Sequence, residues 1–191
     1  LDMRMSCTGI SAADIVNTYG EKELADLIYR FGEERKSRRI AAKIVEARQT
    51  APVATPRQLA EIVYQVIFKK PGQPDPATRT FQALRIAVND ELGELERGLA
   101  GGLSVLKPGG RLAVVTFHSL EDRIVKNFFK QKAGKSEGVS RYLPEASTAA
   151  PAELAFCSKA VPPTAAEVEA NPRAHSAKLR YAIKSDKETG Q

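Results

Sequence analysis

Between Ser11 and about Arg97 apolar residues recur every three to four positions, a period that predicts helix almost throughout. Ser11 and Asp14 have the spacing of a capping box ahead of Ile15 and Val16, and Gly20 is expected to end that short first helix. In "EKELADLIYRF" Leu24, Leu27, Ile28 and Phe31 share a face, which predicts a second helix stopped near Gly32; a third is expected across "EERKSRRIAAKIVEAR". Thr55, Pro56 and Gln58 mark the start of a fourth, since threonine caps, proline suits the first helical position and glutamine completes the box. "KKPGQPDP" breaks the chain, and Asp75 with Pro76 then announces one long helix carrying Phe81, Leu84, Val88, Leu92, Leu95 and Leu99 on its core face.

The pattern changes at Lys107. "LKPGGRLAVVTF" is a proline-glycine turn followed by a continuous apolar run, which predicts a strand from Leu112 to Phe117 covered on both faces. "RIVKNFF" returns to helix. Two further strands are expected in "ELAFCSKAV" and "KLRYAIK", separated by a loop-like stretch with Pro162, Pro163, Pro172 and His175. Residues 132 to 152 have the composition of a surface loop, and "SDKETGQ" that of a frayed tail. Helix, tight turn, buried strand, helix is the grammar of an α/β sheet, yet three strands are few to cover a buried one. The remaining strands are therefore expected upstream of Leu1, and the chain, which starts at leucine, is read as part of a longer one.

Composition narrows this picture only slightly. A net charge of +6 permits an anionic partner without demanding one. Cys7 and Cys157 stand alone in the sequence, so neither a disulfide framework nor a metal site is indicated, and a cytoplasmic setting is expected. No apolar run reaches the roughly 18 residues that span a bilayer, and none has the form of a secretory signal.

Residues just past the carboxyl end of a strand in an open α/β sheet face the ligand crevice, and "HSLEDR" takes that place. Ser119 is expected to cap the following helix, with Glu121 and Asp122 in the first turn where the helix dipole favours carboxylates. His118 and Arg123 stand out because capping needs neither. Asp2 and Arg4 sit in "LDMRM" with nothing local to explain them. The run from Glu33 to Arg48 carries Arg35, Lys36, Arg38, Arg39, Lys43 and Arg48 against Glu33, Glu34 and Glu46, a net of +3 (6 minus 3). A solvated helix face is the default for such a run, and a phosphate-binding face is the sharper alternative, which Lys69 and Lys70 extend. Arg79, Gln82, Arg85 and Asn89 form a polar stripe on the long helix. "GLAGGLSV" follows no strand and is rejected as a phosphate cradle.

"LDMRM", "GEER", "PATRTFQALRIAVNDEL", "HSLEDRIVK" and "AHSAKLR", in that order, resemble one family closely: the bacterial methyltransferases that use S-adenosylmethionine to modify the exocyclic N4 of a cytosine in small-subunit ribosomal RNA. The resemblance implies a Rossmann-like α/β methyltransferase domain with an inserted all-helical domain. Residues 1 to 10 would close the first methyltransferase portion, 11 to 92 would form the RNA-recognising insertion, and 93 to 191 would complete the methyltransferase domain. It implies a catalytic set of His118, Ser119, Glu121, Asp122, Arg123, Asp2 and Arg4. The RNA-contacting set would be Arg35, Lys36, Arg38, Arg39, Lys69, Lys70, Arg79 and Arg85. The glycine-rich loop for S-adenosylmethionine and its acidic ribose partner would lie ahead of "LDMRM", leaving no cofactor-binding residues here and no metal. In such a site a cytosine amine attacks a sulfonium methyl, and acceptors must draw the amine's hydrogens because its lone pair is delocalised into the ring. The implied partner is small-subunit ribosomal RNA or an assembling subunit, with a homodimer as a further expectation. The competing expectation is a non-catalytic helical RNA-binding module.

Overall fold

A computed structural model describes residues 1–134 and 152–186, so the expected surface loop lies largely outside the described residues, as do 187–191 of the tail. The chain divides into two compact units, Leu1–Glu91 and Leu92–Gln191.

The first unit is helical: α1 (Ala12–Thr18), α2 (Glu21–Gly32), α3 (Ser37–Thr50), α4 (Pro56–Val66) and α5 (Thr78–Asn89). The two expected capping boxes form. Ser11 Oγ accepts from the Asp14 amide at 3.1 Å while Asp14 accepts from the Ser11 amide at 2.8 Å, and Thr55 and Gln58 exchange the same pair of bonds. Gly20 does not end α1, which stops at Thr18; it caps α2, giving its amide to Glu23 at 2.9 Å. The third helix begins at Ser37, later than its charge run suggests, because Glu33 adopts the left-handed conformation (φ 50°) and the buried Glu34 carboxylate accepts from the Lys36 amide at 2.8 Å. Gly32 just before this turn is obligatory in packing terms, since a Cβ there would lie 2.5 Å from the Arg79 carbonyl oxygen. Glycine thus lets the end of α2 meet the start of α5. Ile15, Leu24, Ile28, Ile40, Ile44, Leu59, Val63 and Leu84 are fully buried at the centre of this unit.

The long helix predicted after Pro76 is two helices. Asp90 takes the left-handed conformation (φ 47°), a state aspartate tolerates better than most residues, and separates α5 from α6 (Glu91–Val105). Asn89, just before the break, ties down the chain's first residues: its Nδ2 donates to the Met3 carbonyl and its Oδ1 accepts from the Met5 amide, both at 2.8 Å.

The second unit continues from α6 into β1 (Arg111–Thr116), α7 (Ser119–Lys132), β2 (Leu154–Cys157), α8 (Ala165–Ala170), a 3-10 turn (Pro172–Ser176) and β3 (Lys178–Lys184). The stretch expected to be a loop therefore holds a short helix, started by Thr164, whose hydroxyl accepts from the Glu167 amide at 3.2 Å. The described sheet has the order β1-β3-β2 with both pairs antiparallel. Leu112 and Val114 pack with Leu99, Leu103, Val125 and Phe129. The expected burial of β1 on both faces is not found among the described residues. The described helices of this unit cover one face, and on the other Val115 is 54% exposed.

Candidate functional site

The turn from β1 into α7 holds the residues singled out in "HSLEDR". Thr116 is buried at the strand end, Phe117 is exposed, and His118, in extended conformation (φ −140°, ψ 165°), is the residue that caps α7. This corrects two expectations: Ser119 does not cap but begins the helix, and His118 is used by capping after all. The His118 ring accepts from the Glu121 amide through Nδ1 at 3.4 Å. Glu121 Oε2 returns the bond by accepting from the amides of His118 at 3.2 Å and Phe117 at 2.8 Å. The sequence signal was a capping box spaced one residue earlier than serine suggests, with imidazole in the place of a hydroxyl.

Because Nδ1 accepts from a backbone N–H, the neutral ring carries its hydrogen on Nε2. That atom is buried and makes no hydrogen bond, lying 3.4 Å from Glu121 Oε1. Neither ring nitrogen offers a lone pair to a substrate. Asp122 is similarly engaged: its Oδ1 accepts from Arg180 Nε at 2.6 Å, and its Oδ2 from Arg180 Nη2 at 3.2 Å and Lys178 Nζ at 3.5 Å. The Arg180 guanidinium beside it holds the Asp122 carboxyl below the usual carboxylate range, against a smaller opposing effect of partial burial. Glu121 differs, since its two amide bonds both fall on Oε2. Arg123, one position on, is exposed, with its own interaction partner.

Lys178 and Arg180 were missed as site residues, although "AHSAKLR" contains them. Their roles come from β3 register: Lys178 pairs with Thr116 and Arg180 with Val114, which puts both cations opposite the first turn of α7. Phe117 was missed too, being read only as the end of an apolar run.

Asp2 and Arg4 lie in the first unit, and a local explanation exists after all. Arg4 grips Asp2 through Nε at 2.6 Å and Nη2 at 2.9 Å, and Arg4 Nη1 donates to the Gly9 carbonyl at 3.1 Å. This fork draws the Asp2 carboxyl down to about 2.

The basic candidates divide. Arg35, Lys36, Arg38 and Arg39 are exposed at the start of α3, and none makes an ion pair among the described residues. Lys69 is held by Asp75 at 2.9 Å, Arg85 makes a two-point bridge to Glu91 at 2.8 and 3.0 Å, and Arg79 lies 3.9 Å from Glu34. Of the polar stripe on α5, Gln82 donates to the Phe31 carbonyl and Asn89 holds the first residues, so half of it is structural.

A family model described as the MraW methylase family matches residues 1–185. The chain belongs to the MraW methylase family. It is 58% identical over 188 residues to the ribosomal RNA small subunit methyltransferase H of Methylorubrum populi, covering 97% of this chain and 54% of that protein. The protein of the same name from Methylobacterium sp. strain 4-46 is 58% identical over 97% of this chain and 56% of its own length. That of Paramagnetospirillum magneticum is 57% identical over 97% and 59%. The chain thus spans a little over half the length of these curated relatives. Membership accounts for the mixed architecture, an all-helical unit and a sheet flanked by helices.

Methyltransferases take a methyl group from a bound donor, which a glycine-rich turn after a strand would cradle. Among the described residues no such turn exists. The β1–α7 turn lacks glycine and its Phe117 and His118 amides are already bonded to Glu121, and Gly101 and Gly102 lie inside α6. The described residues do not fit that donor.

Proposed function

We propose that this chain forms the target-facing and RNA-facing portion of an S-adenosylmethionine-dependent methyltransferase acting on the exocyclic N4 of a cytosine in small-subunit ribosomal RNA. The observation that carries this is the match over 97% of the chain to relatives named as ribosomal RNA small subunit methyltransferases.

The geometry of the α7 turn supports particular roles. Glu121 is the group proposed to draw a hydrogen from the cytosine amine, because its Oε1, 3.4 Å from His118 Nε2, accepts from no backbone amide of the cap and lies outside the arginine fork. His118 is a positioning residue that sets the start of α7 and so the place of Glu121. Asp122, held by Arg180, fixes the helix to β3. Arg123 and Ser119 are proposed to hold or orient the target nucleotide, and the exposed ring of Phe117 to pack against its base. Positioning of this kind is worth up to roughly 7 to 11 kcal/mol of a barrier.

The RNA-facing surface is proposed to be the start of α3, where four unpaired cations stand beside the amino end of a helix. Arg79 and Lys70 extend it. Lys69 and Arg85, held by carboxylates, are the weaker members of the proposed set.

The test is methyl transfer by the protein that contains this chain, with small-subunit RNA as acceptor and mass spectrometry of the digested nucleosides. N4-methylcytidine is the expected product; a methyl group on another atom or no transfer would refute the reading. His118→Asn keeps a good cap without the imidazole, whereas His118→Ala removes the cap at about 1 kcal/mol. A positioning role predicts that the asparagine variant retains transfer and the alanine variant loses much of it. Equal loss in both would return the imidazole to the chemistry.

A further inference from the structure

Phe68 is 82% exposed, two residues past the end of α4, and so contributes almost nothing to the core that α4 helps to build. Single exposed apolar residues are ordinary on protein surfaces, and Val105 is as exposed at the end of α6. Phe68 differs in three respects: its side chain is a flat ring, two lysines follow it, and the residue on each side of it is anchored, one through its backbone and one through its side chain. Ile67 before it donates its amide to the Val63 carbonyl at 2.9 Å. Lys69 after it bridges to Asp75 Oδ2 at 2.9 Å and lies over the Tyr64 ring at 5.6 Å. Asp75 in turn accepts from the Tyr64 hydroxyl at 2.6 Å and the Ala77 amide at 2.9 Å. A short segment whose neighbours are already anchored costs less to order on binding, which favours a contact role.

The same bonds locate Phe68 within the helical unit. The Asp75 clamp sits against the start of α5, since Asp75 also accepts from Thr78 through its carbonyl at 3.0 Å. Arg79, in that first turn, reaches the Glu33 carbonyl at 3.4 Å and lies 3.9 Å from Glu34, whose carboxylate caps the backbone entering α3. The aromatic ring, Lys70 and the four unpaired cations therefore share one end of the helical unit. Lys69 is neutralised by Asp75, so in this loop the cation open to a phosphate is Lys70.

Cations that follow a backbone, with an exposed ring among them, are the arrangement by which proteins hold single-stranded nucleic acid: phosphates meet the charges and an unpaired base stacks on the ring. A paired helix buries its bases and would use the charges alone. We propose that Phe68 is a stacking platform for an unpaired base, so that the helical unit grips a single-stranded stretch of RNA rather than a duplex. This rests on the RNA-facing role proposed above and adds the state of the RNA to it.

The chain contains no tryptophan, so Phe68→Trp installs a lone indole at this position. The 191-residue chain carrying it is titrated with an unstructured oligocytidylate and with a blunt RNA duplex at several salt concentrations, alongside wild type, Phe68→Leu and the Arg38→Gln/Arg39→Gln double variant. The expected result is quenching of the indole by the single strand and not by the duplex. Phe68→Leu, apolar but without a π face, should bind the single strand about tenfold more weakly at every salt concentration with an unchanged salt slope. If Phe68→Leu binds as wild type and the indole is not quenched while the arginine variant is weakened, the stacking role is overturned and the RNA-facing role stands. If no variant differs, or wild type binds neither RNA, the RNA-facing role itself fails. Indole changes that follow protein concentration in the absence of RNA would make Phe68 a protein contact and overturn the proposal.

Discussion

The two units use their apolar side chains differently. Among the described residues the helical unit gathers eighteen buried apolar residues into one core, against six in the sheet unit. The sheet unit instead leaves Val115, Phe117 and Phe156 about half exposed and fixes its candidate site with directed polar bonds: a histidine-glutamate cap and an aspartate-arginine fork. Packing holds the helical unit and frees its surface for charge; hydrogen-bond geometry holds the α7 turn and fixes where each carboxylate points.

The largest effect expected from this contrast is in the helical core. Leu84→Ala removes a fully buried side chain and should cost roughly 2–5 kcal/mol in denaturant unfolding, whereas Val115→Ala on the open sheet face should change stability by less than about 1 kcal/mol. Similar losses at the two positions would mean that the sheet face is covered in solution. Gly32→Ala comes next, because its methyl group would meet the Arg79 carbonyl; overpacking predicts a loss of about 1–3 kcal/mol. An unchanged midpoint would show that α2 and α5 can separate freely.

Asp122→Asn should cost about 1–2 kcal/mol, discounted for the residual exposure of the pair with Arg180. The same bridge has a pH signature. Its carboxyl titrates below its ordinary value of 3.8, so its contribution is fully present above that pH and is lost as the pH falls through the lowered value. Asp75 in the helical unit, drawn down to about 2 by Tyr64, Ala77 and Lys69, should keep its clamp until the pH approaches 2. Acid titration followed by NMR carboxyl shifts checks both, and an Asp122 midpoint at or above 3.8 would show that the bridge does not form in solution.

Much of the helical unit was legible because its signals are local. Capping boxes at Ser11 and Thr55, and apolar faces such as Leu24, Leu27 and Ile28, depend on residues a few positions apart. The break at Asp90 was not legible, since a left-handed aspartate leaves the apolar spacing on both sides intact. In the candidate site the segment "HSLEDR" was visible, yet its roles were not. Asp122 is paired by Arg180, 58 residues away, and only the register of β3 on β1 brings them together. Asp2 and Arg4 looked unexplained for the opposite reason: their partners are each other, across a backbone turn at Met3 (φ 65°) that no residue type announces.

On the proposed reading, recognition belongs to the helical unit and the chemistry to the α7 turn. Steady-state methyl transfer to small-subunit RNA by the protein containing this chain tests it most directly, comparing Glu121→Gln with Arg38→Gln/Arg39→Gln. Glu121→Gln should lower kcat by about 10² to 10⁴ with RNA affinity unchanged. The arginine variant should raise KM and reduce the salt slope by about two while leaving kcat near wild type. Loss of affinity in the glutamate variant, or loss of kcat at saturating RNA in the arginine variant, would contradict the division between the two units.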